Sequence, residues 1–316
     1  MTQQFFPVGN IPLFGAGYGI RTNFGIMLPP GGTVAAYVRS TGPQTGDDAA
    51  IIDRLVTTLD AGLRRCRSGL GDTVVVLPGH SESVVDATML ANAVAGTRII
   101  GIGNGSAKPT FRWTAAGSQW ALTVADVYVS GLKLRLEGTN GITKAILVTG
   151  ANSTWVDNEF QVASGASNKA TIAFEVGSGA DGTTIAGNFW YGTATHNVTD
   201  GLKVVAAVDR FRLLNNHMDF SATAANGCVH FTAAATKVAV GGNFVQNDHT
   251  ASTAAIAVDA VASTGMAWDN YTSTINNGTV TSQGITIGAG CLWRLFQSFS
   301  CDEPIKSGAL NFAAAT

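Results

Sequence analysis

Charge is scarce in this chain. Of 316 residues only 13% are charged, with 19 Lys and Arg against 21 Asp and Glu, a formal net charge of −2. So weak a field excludes a surface that steers toward nucleic acid or an acidic bilayer. The shortage of Lys and Glu also argues against a body made of long amphipathic helices. Long apolar runs are missing too: Gly, Thr, Asp or Asn interrupts each one before the roughly eighteen residues that a bilayer span requires. The opening, MTQQFFPVGN, places no basic region ahead of an apolar one, so no secretory signal is read there. Only four cysteines occur, Cys66, Cys228, Cys291 and Cys301, without Cys-x-x-Cys spacing. Three of them fall in apolar runs, which reads as buried free thiols rather than disulfides or zinc ligands, suited to a reducing cytoplasm. No P-loop, Gly-x-Ser-x-Gly elbow or His-Glu-x-x-His sequence is present, and no cofactor is expected.

What the chain does have is glycine, 38 residues, and an internal repeat. An apolar residue, any residue, then Asn or a substitute recurs at Asn104, Gly131, Asn158, Asn188, Asn216, Asn243, Asn270 and Gln297, at steps of 27, 27, 30, 28, 27, 27 and 27. Aromatic residues follow in nearly one phase, at Phe160, Phe189, Phe244, Tyr271 and Phe299. Short β-rich runs such as Ala145-Ile146-Leu147-Val148 and Ala255-Ile256-Ala257-Val258 fill another phase. A propeller blade needs a longer unit, and the rungs lack a leucine-rich consensus. The period fits a coil of two or three short strands in which each side chain stacks on its counterpart one turn later. The expected fold is therefore all-β, a single-stranded right-handed parallel β-helix of about eight coils of roughly 27 residues each. Asn104, Asn158, Asn188, Asn216, Asn243 and Asn270 are expected to form a structural ladder. Asn tolerates left-handed backbone and can bond an amide above and below it, and Gly131 and Gln297 stand in where only one of those properties is needed.

The first third differs. Ile51, Leu55, Leu59 and Leu63 recur at spacing four and predict one amphipathic helix over 47–66, with Thr45 and Asp48 as a capping box and Arg64, Arg65 and Arg67 at its end. Next comes Gly71-Asp72-Thr73-Val74-Val75-Val76-Leu77-Pro78-Gly79. Together with Gly46-Asp47-Asp48 and the helix, this resembles the opening of pectate-lyase-like β-helix proteins, a group that includes phage tailspikes. The resemblance covers residues 45–80 by motif and 96–300 by architecture. It implies a helix capping the first coil, with many phage members of the group being trimers. The expected organisation is an extended attachment arm over 1–44, a capping helix over 45–72, the β-helix over 73–302 and a tail over 303–316.

Residues 1–44 are apolar, with Arg21 and Arg39 as the only charges, so a solvated disordered tail is not expected. Phe5, Phe6, Ile11, Leu13, Phe14, Tyr18 and Phe24, with Arg21, are the candidate partner-binding residues. They would pack on their own β-helix, on identical copies, or on a larger assembly.

β-Helix lyases and hydrolases gather acids on neighbouring coils, so Asp157, Glu159, Glu175, Asp200, Asp209, Asp219, Asp248, Asp259 and Asp269 were compared by phase. No two occupy adjacent rungs in matching phase; Asp219 and Asp248, with His217 and His249, form the nearest cluster. His196 and His230 read as isolated, His230 facing outward from its strand. The expectation is no catalytic site and no enzyme. The chain would be a bacteriophage virion protein, assembled in the host cytoplasm, which decorates and stabilises the head shell. Its partners would be identical subunits in a homotrimer and the major capsid protein, with no nucleic acid and no membrane. The alternative is a tailspike or tail-fibre module that binds or degrades host polysaccharide, which predicts exposed aromatics and paired acids.

Overall fold

The computed structural model describes Leu28 and residues 31–301 except 46, 48, 91–92, 137–140, 166–167, 193–197, 224–226, 250–253, 275–282 and 297. The chain is a parallel β-helix. Its body consists of three parallel sheets of eleven, nine and seven strands that run along the rod, and each coil from Trp120 onward contributes a strand to each in turn. Seven coils among the described residues carry all three strands, beginning at Trp120–Leu122. Among the described residues the two turns before them show no third strand, so the complete coils number seven rather than about eight.

The interior is a set of stacks in register. Val129, Trp155, Ile185, Leu213, Val240 and Ala267 lie over one another in the eleven-stranded sheet. Phe160, Trp190, Met218 and Val245 do so in the nine-stranded sheet, and Ile146, Phe174, Leu202, Val229 and Ile256 in the seven-stranded one. Phe160 and Trp190 are stacked at 3.9 Å, and Trp155 meets Trp120 edge-on at 5.2 Å. These side chains are almost fully buried, and an aromatic or aliphatic residue removed from such a column costs about 3–5 kcal/mol.

The asparagine ladder exists, with five members. Asn158, Asn188, Asn216, Asn243 and Asn270 are buried. In each of the first four, both the backbone N–H and the Nδ2 donate to Oδ1 of the next Asn, at 2.9–3.1 Å. Each Nδ2 also donates to a carbonyl of the preceding coil, as Asn216 does to Ile185. Asn104 does not belong to it: the residue is exposed and caps a short 3-10 turn over Gly105–Ala107.

Gly131 is out of the ladder by one residue of phase. The left-handed corner belongs to the residue before each Asn, namely Asp157, Gly187, Asn215, Gly242 and Asp269. Gly131 occupies that corner position, one before Leu132, whose N–H donates to Asn158 Oδ1. Where the ladder is absent, backbone closes in: a Cβ on Gly131, at φ +70, would lie 2.3 Å from the Gly101 carbonyl oxygen.

The expected capping helix is broken in two. Ala49–Ile52 and Leu59–Leu63 are short helices, and Leu55–Val56 between them is a strand beside Val34–Val38. Tertiary pairing overrides the helical period here, because the first strand would otherwise present an open edge. Thr58 restarts the helix by accepting from Ala61 N–H, and Glu82 of the first coil accepts from Leu59 N–H at 2.8 Å. Asp48 of the expected capping box lies outside the described residues, and its neighbour Asp47 pairs with Arg39 at 2.6 Å. Val34–Val38, inside the span expected to be an arm, belongs to the eleven-stranded sheet, paired in parallel with Thr73–Val76. Cys66, Cys228 and Cys291 are free thiols. Burial pushes the Cys66 thiol up to about 11 and the Cys228 thiol well above the ordinary range, so neither is a ready nucleophile.

Candidate functional site

Side chains alternate across a strand, so a shift of one residue exchanges inside for outside. Phe160 points into the column, whereas Phe189, His217, Phe244 and Tyr271 are in register with Glu159 on the outer face of the nine-stranded sheet. Phe189 is 46% exposed, Phe244 40% and Tyr271 55%. The His217 ring is stacked on Phe244 at 4.8 Å and tilted against Phe189 at 5.0 Å. The result is a row of rings along the rod.

Two residues along each strand runs a polar row: Arg135, Gln161, Tyr191, Asp219 and Gln246. At its N-terminal end Lys133 Nζ lies 2.7 Å from Glu159 Oε1, to which the Tyr191 hydroxyl donates at 2.9 Å. Burial alone would raise the Glu159 carboxyl, but Lys133 and Tyr191 outweigh it and hold the group below the ordinary range. Further along, Asp219 and Asp248 share a hydrogen bond between adjacent coils. Burial first, then the Asp248 charge and that shared bond, hold Asp219 above the ordinary carboxylate range. Gln246 Nε2 donates to Asp248 Oδ1 at 2.6 Å.

Asp219 and Asp248, the nearest cluster in the sequence, lie on adjacent coils but not in matching phase. Asp219 is level with Gln246, and Asp248 lies two residues beyond it, so the pair is diagonal and escapes a search confined to one phase. The Asp248 charge so near disfavours ionisation of Asp219.

His230 is not isolated. It faces outward from its strand, level with Lys203, yet is only 5% exposed. Nδ1 lies 2.7 Å from Asp200 Oδ1 and Nε2 lies 2.8 Å from Asp259 Oδ2, while Lys203 pairs with Asp200 at 2.9 Å. Burial works against the imidazolium, but the two carboxylates prevail and raise its pKa. Both Asp partners come from neighbouring coils, which makes the cluster a staple across three turns.

The remaining candidate acids are placed apart. Glu175 pairs with Lys144 at 2.8 Å on the seven-stranded sheet, Asp209 with Lys237, and Asp157 and Asp269 serve as exposed left-handed corners. The candidate partner residues Phe5, Phe6, Ile11, Leu13, Phe14, Tyr18, Arg21 and Phe24, as well as His196, lie outside the described residues. Among the described residues no group of three or more His, Cys, Asp or Glu is arranged to hold a metal ion, and no helix is long and apolar enough to cross a membrane.

Fold and surface together define a β-solenoid with one aromatic and carboxylate-bearing face. Comparison with protein-family models, curated proteins and solved structures found no match.

Proposed function

We propose that the chain is a structural component of a bacteriophage particle, a rigid rod that decorates and stabilises the head shell and attaches through residues 1–44. The observation that carries this reading is the continuously bonded column. Five buried amides and three interior stacks tie each coil to the next, the construction of a stiff spacer. The likeness of residues 45–80 to the opening of phage β-helix proteins supports the setting, and with it a homotrimer on the major capsid protein.

The test is attachment. Purified shells lacking the protein are mixed with the full chain or with a chain deleted for residues 1–40, and co-sedimentation is measured. Binding by the full chain and its loss on deletion is the expected result. A full chain that leaves shells bare removes the head-shell reading.

A second reading, a tailspike or fibre module that degrades host polysaccharide, is favoured by the exposed rings beside paired acids. Release of reducing sugar or unsaturated uronate from host polysaccharide would establish it.

A further inference from the structure

The chemical durability of an asparagine depends on whether its side chain and the next backbone N–H are held in place. Along the ladder both are. Asn158, Asn188, Asn216, Asn243 and Asn270 are buried, and each Nδ2 donates to a backbone carbonyl. The N–H of each following residue, Glu159, Phe189, His217, Phe244 and Tyr271, donates to a carbonyl of the preceding coil at 2.8–2.9 Å. A carboxamide and a peptide nitrogen locked in this way cannot turn toward one another.

Asn104 is the opposite case. It is exposed where the Gly105–Ala107 turn begins, and its side chain makes no hydrogen bond among the described residues. The Gly105 N–H makes none there either, as the first N–H of a helical turn has no partner within the turn. A Cβ placed on Gly105 would meet nothing within 4 Å, and glycine supplies none, so its nitrogen is open to approach. The Asn104 carbonyl accepts from Ala107 N–H at 3.1 Å, which leaves the carboxamide and the Gly105 nitrogen as the two unbonded groups of the pair. Asp181 and Gly182 show what restraint does to a similar pair. Asp181 Oδ1 accepts from Asp209 N–H at 2.7 Å, and Gly182 N–H donates to the Asp209 carbonyl at 2.8 Å.

We propose that Asn104 is a site of spontaneous deamidation, a covalent mark that the rod acquires with age. The Gly105 nitrogen attacks Asn104 Cγ, and the new C–N bond closes a five-membered imide. The Cγ–Nδ2 bond breaks, and Nδ2 leaves as ammonia with the proton that Gly105 gives up. Water then adds to either imide carbonyl and opens the ring to aspartate or isoaspartate. The product carries one more negative charge at a corner that contributes no bond to the ladder, so the column stays intact. The reaction needs only the rod and water, and it does not rest on the head-shell reading.

The experiment holds the full chain in mildly alkaline buffer and follows each asparagine by peptide mapping in a mass spectrometer. A synthetic peptide of residues 100–109 runs alongside as the unfolded reference. Asn104 in the folded chain should convert within roughly tenfold of the peptide's rate, and the five ladder residues roughly a hundredfold more slowly or less, since the column must open first. Asn140, Asn226 and Asn277 also precede glycine but lie outside the described residues, and the map scores them separately. Gly105→Ala, which crowds the attacking nitrogen, should slow Asn104 roughly tenfold. The aged chain should unfold at the same temperature as the fresh one. The proposal is overturned if Asn104 survives after the peptide is fully converted, or if a ladder asparagine converts as fast as Asn104. It is likewise overturned if folded Gly105→Ala converts at the parent's rate.

Discussion

Asn243 Oδ1 accepts two hydrogen bonds from Asn216, one from its backbone N–H at 2.9 Å and one from its Nδ2 at 3.0 Å. Asn216 Nδ2 also reaches the Ile185 and Leu214 carbonyls, and its Oδ1 accepts two bonds from Asn188. Asn216→Ala therefore leaves several buried groups without partners and should cost about 3–4 kcal/mol. Asn104→Ala, at an exposed turn where the side chain makes no capping bond, should stay within about 0.5 kcal/mol. Urea unfolding of both variants measures the contrast, and equal losses would contradict the ladder.

The His230 staple predicts a pH dependence. The fold raises the imidazole pKa above its ordinary 6.5, so the stabilisation is complete below that value and fades as pH rises through the higher native one. The parent should lose stability as pH rises above about 6.5 in a step that His230→Gln lacks. At the acid end the variant should be weaker by about 2 kcal/mol, the range for hydrogen bonds to charged groups. Identical pH slopes in the two proteins would remove the staple.

Asp219 behaves in the opposite chemical sense. Its native pKa is raised, so the neutral carboxyl is favoured by the fold, and stability declines as pH climbs through that native value. Asn is neutral at every pH and can donate to Asp248. Asp219→Asn should thus gain a fraction of a kcal/mol near neutrality, a small effect because the pair is partly solvated. A clear loss of stability at neutral pH would mean that the acid pair attracts rather than repels.

Gly131 tests the close approach that replaces the ladder in the early coils. Gly131→Ala combines a left-handed backbone with a clash against the Gly101 carbonyl and should cost about 3 kcal/mol or more. Gly105→Ala shares the positive φ but meets nothing within 4 Å, and about 1 kcal/mol is expected there. Thermal midpoints of the two variants supply the comparison.

The solenoid was legible because inward positions repeat. Trp155, Ile185, Leu213 and Val240 differ in size but all fill one column, and a period survives such substitutions. What a period cannot carry is phase to a single residue. Gly131 was grouped with Asn158 although it stands level with Asp157, and Phe160 with Phe189 although one is core and the other surface. The aromatic track was hidden by that slip. The partners of His230 escape the sequence for another reason. They lie on neighbouring coils at offsets of 29 or 30 residues, so the pairing depends on coil lengths that vary from turn to turn. The broken helix shows local pattern yielding to an edge strand in need of a neighbour.

The amides of the five-membered ladder all face one way, each handing its protons to the oxygen one turn closer to the C-terminus. The row therefore has a giving end and a receiving end, and it tolerates change only in whole turns. Excision of one complete coil would let Asn188 meet Asn243 directly and leave a shorter rod of the same kind. Loss of half a coil would set donor against donor. Length in such a molecule is quantised by its hydrogen bonds.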